Sequence, residues 1–163
     1  FPKNPDALRL SAYMYKDRDG PIVAGPVWDF DRSMDPADDD RAADPTWWDA
    51  TNITWDTTPM FTYGWYAGLF ADPTFYAAYW ARWRELLDDQ LSVAHIDGVI
   101  DDMAAQLAEA APRDYARWSS YPPRGGSFDA EITTLKAWVE ARHAWIAACL
   151  DAHPDAPETC RGD

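Results

Sequence analysis

The sequence predicts an α+β fold, mostly α: one β-hairpin, a long acidic loop and a C-terminal bundle of three or four helices. Three observations lead there. Two short β-prone runs flank an Asp/Gly turn, a Pro-punctuated stretch rich in Asp lacks apolar periodicity, and three apolar stripes recur at helical spacing behind N-cap residues.

The hairpin comes first. Ser11 to Lys16 and Ile22 to Trp28 are the β-prone runs, joined through Asp17-Arg18-Asp19-Gly20-Pro21. Residues 29 to 49 follow with eight Asp, two Arg, Pro36 and Pro45, a net charge of −6, and read as a long loop of the kind that is usually functional or mobile. Residues 46 to 71 are dense in Trp, Tyr, Phe, Thr and Gly without a clean period, with a short helix expected near Gly64 to Phe70.

Asp72 then reads as an N-cap with Pro73 at the first helical position, and Phe75, Tyr76, Tyr79, Trp80, Trp83, Leu86 and Leu87 fall on one face. Ser92 caps a second helix, with Ile96, Ile100, Met103 and Leu107 as its stripe, expected to run to Pro112. A polar link through Tyr121-Pro122-Pro123 and Gly125-Gly126 leads to Ser127 and the longest helix. Its stripe is Phe128, Ile132, Leu135, Trp138, Val139, Trp145, Ile146 and Leu150, ended by His153-Pro154.

Composition narrows the function. A chain of 163 residues, 47% hydrophobic and with ten Trp, can bury one sizeable core. A net charge of −14 repels phosphate backbones and anionic lipid, so neither nucleic acid nor a membrane surface is expected as a partner. No apolar run approaches the roughly 20 residues of a membrane span. The Phe1-Pro2-Lys3 opening and the Arg161-Gly162-Asp163 close read as cut from something longer, and the terminal Arg-Gly-Asp is given no weight as a three-residue match. Cys149 and Cys160 are spaced compatibly with a disulfide pinning the tail to the last helix. Two free thiols are an equal alternative, and an oxidising compartment would favour the bridge.

Most catalytic signatures are absent. There is no Gly-x-Ser-x-Gly, His-Glu-x-x-His, Gly-x-x-x-x-Gly-Lys or Cys-x-x-Cys, and His95, His143 and His153 are scattered through helical text and stay unassigned. What remains is Gly25-Pro26-Val27-Trp28-Asp29-Phe30-Asp31. On an extended backbone, carboxylates at i and i+2 share a side and could face one hard cation, with Phe30 turned into the core. On spacing alone, an Asp-rich turn is the commoner meaning.

In context, the sequence resembles the CotH kinase family, the spore-coat-protein-H-like kinases. The resemblance rests on Asn4-Pro5-Asp6, Tyr13-Met14-Tyr15-Lys16-Asp17 and Gly25 to Asp31. It continues through Leu69 to Phe75, Arg82-Trp83-Arg84-Glu85-Leu86, Leu135-Lys136-Ala137-Trp138 and Arg142-His143-Ala144-Trp145. It implies transfer of the ATP γ-phosphoryl group, with Mg2+ or Mn2+, to Ser/Thr of a Ser-rich surface or spore-coat protein, in a secreted, cell-surface or coat-associated setting. It makes Asp6 similar to the catalytic Asp, Asp29 to the metal-binding Asp and Asp31 to a second oxygen ligand. Ser11 stands five residues after Asp6 where ordinary kinases hold a metal-binding Asn, and Asp31 replaces a usual Gly.

The chain is accordingly expected to be a single unit, 1–163: hairpin and metal element 6–31, acidic loop 32–49, aromatic and helical part 50–153. The Gly-rich loop and strand lysine would belong to an N-lobe upstream, so the fragment alone should be inactive. A different class is a non-catalytic binding or structural module, or a pseudokinase, using exposed aromatics as a sugar platform. Trp80, Trp83, Trp138 and Trp145 sit on helix stripes, leaving Trp47, Trp48, Trp55 and Trp65 as platform candidates.

Overall fold

The computed structural model describes residues 1–8, 10–36, 39–48 and 61–160. Strands β1 (Met14–Lys16) and β2 (Ile22–Ala24) pair antiparallel, Tyr15 opposite Val23. Among the described residues five α-helices follow: α1 (Tyr66–Phe70), α2 (Pro73–Asp88), α3 (Val93–Leu107), α4 (Ala111–Arg117) and α5 (Phe128–Ala152). Helix α5 is the spine, packing against α2 and α3, while α1 lies on α2.

The helix starts follow from capping. The Asp72 carboxylate accepts from the N–H groups of Thr74 at 2.7 Å and Phe75 at 3.0 Å, two of the donors a helix start leaves unpaired. These bonds hold the Asp72 carboxyl below its ordinary range. Ser127 does the same for Ala130 at 3.1 Å. Just before it Gly125 adopts φ 72°, and a Cβ there would meet the Ala130 Cβ at 2.8 Å, so the turn into α5 requires glycine.

Two expectations about the middle helices are corrected. Pro112 does not end α3, which stops at Leu107; it sits in the first turn of the separate helix α4, where a missing N–H costs nothing. The α3 stripe is covered only in its first half: Ile96 and Ile100 are partly buried, Met103 and Leu107 exposed.

The core gathers Trp48, Trp80, Leu87, Ile146, Cys149 and Leu150, with Phe61, Tyr76, Tyr79, Trp83 and Trp145 around it. Trp48 is its hub. Its ring meets those of Trp145, Trp80 and Trp83 edge-on at 5.0, 5.1 and 6.0 Å, and its indole N–H donates to the Pro157 carbonyl at 2.9 Å. Trp48 is therefore not a platform residue, because its one polar atom is consumed in the core. Trp47 and Trp65 are exposed, and Trp55 lies outside the described residues.

Cys149 and Cys160 are disulfide-bonded, their Cα atoms 5.7 Å apart, which settles the open alternative in favour of the bridge. The segment Pro157–Thr159 is thereby held against α5, and Tyr76 donates to Glu158 from the other side. Burial, then the Glu158 carboxylate, pushes the Tyr76 phenol up to about 12.

Arg142 is the main surprise of α5. It is 2% exposed in the middle of the apolar stripe and donates to the carbonyls of Phe1 (3.1 Å), Pro45 (2.8 Å) and Trp47. Its guanidinium also lies 5.1 Å from the Trp145 ring and 5.8 Å from that of Trp48. The acidic loop is held mainly through its backbone. The Trp138 indole donates to Ala42 and Ala43, Lys3 to the Asp44 carbonyl, and Arg124 to the Pro36 carbonyl and the Asp35 carboxylate.

Candidate active site

The N-terminal loop and the segment after β2 meet at Asp29. Asn4, buried, accepts the Asp6 N–H on Oδ1 at 2.8 Å and donates from Nδ2 to the Asp29 carbonyl at 2.9 Å. Ser11, also buried, donates its hydroxyl to the same carbonyl at 3.3 Å. The Asp6 carbonyl in turn accepts the N–H groups of Leu10 at 3.0 Å and Ser11 at 2.9 Å, closing the loop on itself. The structure thus brings the Asp6 loop against Asp29, with Asp31 two residues beyond.

With its carbonyl taken by the N-terminal loop, Asp29 adopts φ 60°. This left-handed conformation is one Asp tolerates better than most residues. The extended backbone assumed for Asp29-Phe30-Asp31 is therefore absent, and the same-side argument from i, i+2 spacing does not apply. Both carboxylates are nonetheless exposed, Asp6 is half-buried, and Phe30 is partly buried rather than deep in the core.

Could these residues hold a divalent cation? Among the described residues no group of three or more His, Cys, Asp or Glu converges on one point, so there is no all-protein cage. Mg2+ seldom uses one. It keeps waters and takes one or two carboxylates plus substrate phosphates, and two exposed hard-oxygen side chains on one short segment suit that demand.

Beside this segment runs an apolar cleft of about 280 Å3, lined by Ala7, Ser11, Tyr13, Met14, Gly25, Pro26, Val27, Phe30 and Tyr66 among others. The hairpin above it is exposed along both strands, with Tyr13, Met14, Tyr15, Ile22, Val27 and Trp28 all showing large apolar surface.

Further along, Asp39 pairs with Arg41, whose side chain donates to it at 2.6–3.1 Å. These hydrogen bonds hold the Asp39 carboxyl below its ordinary value. Burial pushes Asp44 up, but the hydroxyl and N–H of Thr46 outweigh it and leave the carboxyl lowered. These acids do structural work within the loop. His143 does too, donating from Nε2 to the Leu87 carbonyl at 3.1 Å.

The sequence reading missed the roles of Asn4 and Ser11. In the sequence Ser11 stands out only as a departure from a metal-binding Asn. The available signal was Asn4-Pro5-Asp6 itself, since an Asn two residues ahead of an N–H readily forms an Asx turn.

A family model described as CotH kinase protein matches residues 1–146. The match includes both the Asp6 loop and the Asp29 segment and stops short of the disulfide. No curated protein matches the chain. No solved structure does either.

Proposed function

Because the chain belongs to the CotH kinase family, we propose that it is the C-terminal lobe of a protein kinase that transfers the ATP γ-phosphoryl group to Ser/Thr of a surface or coat protein. One observation carries the reading: the loop bearing Asp6 is hydrogen-bonded onto the backbone of Asp29. Phosphoryl transfer requires a carboxylate at the acceptor hydroxyl and another at the metal, held in fixed relation.

In this reading Asp6 orients the acceptor hydroxyl and takes its proton, while Asp29, with Asp31, holds Mg2+ or Mn2+. The cation supplies neutralisation of the charge on the transferring phosphate. The apolar cleft under the hairpin offers a surface for the nucleotide's ring, and an N-lobe upstream would supply the Gly-rich loop and strand lysine. The Cys149–Cys160 bridge supports a secreted or surface location, since disulfides persist in oxidising compartments.

The test uses the full natural protein carrying this chain, with ATP, Mg2+ or Mn2+ and a Ser-rich protein acceptor. Asp29→Ala should severely weaken metal–nucleotide binding measured by calorimetry. Asp6→Asn should leave that binding and the Tm nearly intact while transfer falls at least about 100-fold. Wild-type transfer rates in Asp6→Asn would remove its role. An inactive wild type would favour a pseudokinase or binding module instead.

A further inference from the structure

A buried asparagine must satisfy both ends of its amide. Asn4 does so in two directions, and only one of them is local. The bond from the Asp6 N–H to Oδ1 spans two residues and is the ordinary Asx turn, which any loop can use. The bond from Nδ2 reaches the Asp29 carbonyl, 25 residues away, and turn formation does not call for it. One rigid planar group therefore touches the backbones of both aspartates.

We propose that Asn4 is a positioning residue, resting on the phosphoryl-transfer reading above, that sets the distance between the acceptor-orienting Asp6 and the metal-holding Asp29. Ser11 is the auxiliary clamp on the Asp29 side. Asp tolerates the left-handed region better than most residues bearing a Cβ, yet still at a cost that its surroundings must offset. Its carbonyl receives Asn4 and Ser11 together, both buried, and these anchor the peptide from which the Asp29 carboxylate projects. Release of that peptide lets Asp29 relax towards commoner backbone angles and swings its side chain away. Loss of the Asp6 bond frees the loop on the acceptor side. The two variants are thus expected to fail differently.

Ser11→Ala removes the hydroxyl bond to Asp29 and keeps the backbone bond to Asp6. In the full natural protein, the Mn2+ concentration giving half-maximal transfer at saturating ATP should rise by several-fold. Asn4→Leu, alike in branching but unable to hydrogen-bond, removes both Asn4 bonds and leaves only the Ser11 hydroxyl on the Asp29 carbonyl. Half-saturating Mn2+ should rise about tenfold or more, the usual cost of removing a residue that orients a metal ligand. In addition, kcat at saturating Mn2+ should fall because Asp6 is no longer held. A merely structural residue would lower the Tm and the folded fraction while leaving the Mn2+ dependence of the folded molecules unchanged. An unchanged Mn2+ midpoint in both variants overturns the proposal.

Should Asn4→Leu fail to fold, Ser11→Ala still decides the Asp29 arm by the same titration. NMR of the Asp29 carbonyl carbon decides the bridge independently of activity. Its resonance should shift in Ser11→Ala and more in Asn4→Leu, with the Asp6 amide shifting in Asn4→Leu. Unmoved resonances overturn the proposal even in an active enzyme. Moved resonances in an inactive wild type support the bridge and sink the phosphoryl-transfer reading alone.

Discussion

Arg142→Met isolates what a buried cation contributes to this fold. Methionine keeps most of the stem volume and its apolar packing, so the change is close to removal of the charged head. That head serves the carbonyls of Phe1, Pro45 and Trp47 and lies over two Trp rings. A hydrogen bond to a charged group contributes about 1.5–3 kcal/mol, and three summed would overshoot because the loop relaxes and admits water. Replacing a whole buried ion pair with apolar groups can be neutral, but here the partners are backbone carbonyls that no side-chain substitution removes. Three acceptors left without their donor, at about 1–3 kcal/mol each less what relaxation and water recover, should therefore cost about 3–5 kcal/mol. At roughly 3 °C per kcal/mol for a chain of this size, Tm should fall by about 10–15 °C. Urea unfolding followed by Trp fluorescence reads this directly, since Trp48 and Trp145 flank the site. Arg142→Lys, which cannot fork to three diverging acceptors, should fall between the two. A loss below about 1 kcal/mol in Arg142→Met would mean that water already serves those carbonyls.

Trp138→Ala removes a buried ring and the donor to Ala42 and Ala43, and should cost about 3–5 kcal/mol; the half-buried Trp83→Ala should cost less, and under about 1 kcal/mol at both would place these rings in solvent. The double variant Cys149→Ser/Cys160→Ser should lose about 2–3 kcal/mol, with an identical urea midpoint under oxidising and reducing conditions as the refuting result for wild type. Asp39 is held low by Arg41, so its contribution is full above the unfolded carboxylate value and disappears as pH falls through the folded one. The stability gap between wild type and Asp39→Asn should close below about pH 4, and a carboxyl NMR titration at or above the ordinary Asp midpoint would contradict this. Tyr76, raised to about 12, has the opposite sign: its contribution is intact below about pH 10 and fades as pH climbs towards 12, which absorbance titration of tyrosinate against Tyr76→Phe can follow.

What was legible in the sequence is what local chemistry determines. The hairpin turn, the Asp72-Pro73 and Ser127 helix starts and the aromatic stripe of α2 each depend on neighbours within a few residues, and each stands where the spacing put it. Pro112 misled because proline both stops one helix and opens another, and only the register of Ala111 onward distinguishes the two. Trp48 and Arg142 were not legible for a different reason. Their roles depend on partners about a hundred residues distant, and no local period marks them, although a lone cation in the Trp138-to-Ile146 stripe was a visible oddity. At the candidate site, the sequence and its family resemblance supplied Asp6, Asp29 and Asp31 as proposals. The assumed extended backbone failed because the conformation of Asp29 is tied to a carbonyl partner on another segment.

The holding of the acidic loop by α5 and the tail also governs the order of assembly. Residues 42–48 rest on Trp138, Arg142 and Pro157, contacts separated by 95 to 109 positions along the chain. During synthesis at about 5–20 residues per second, residues 42–48 must wait roughly 5–20 s after they are made before their anchors exist. Helices α2 and α3 and the Asp6–Asp29 contacts, which span 18 to 25 residues, can form early, whereas residues 42–48 settle last, with the closure entropy of a very long loop against them. The candidate site can therefore close before the acidic loop beside it is seated, which must await α5 and the segment that follows it.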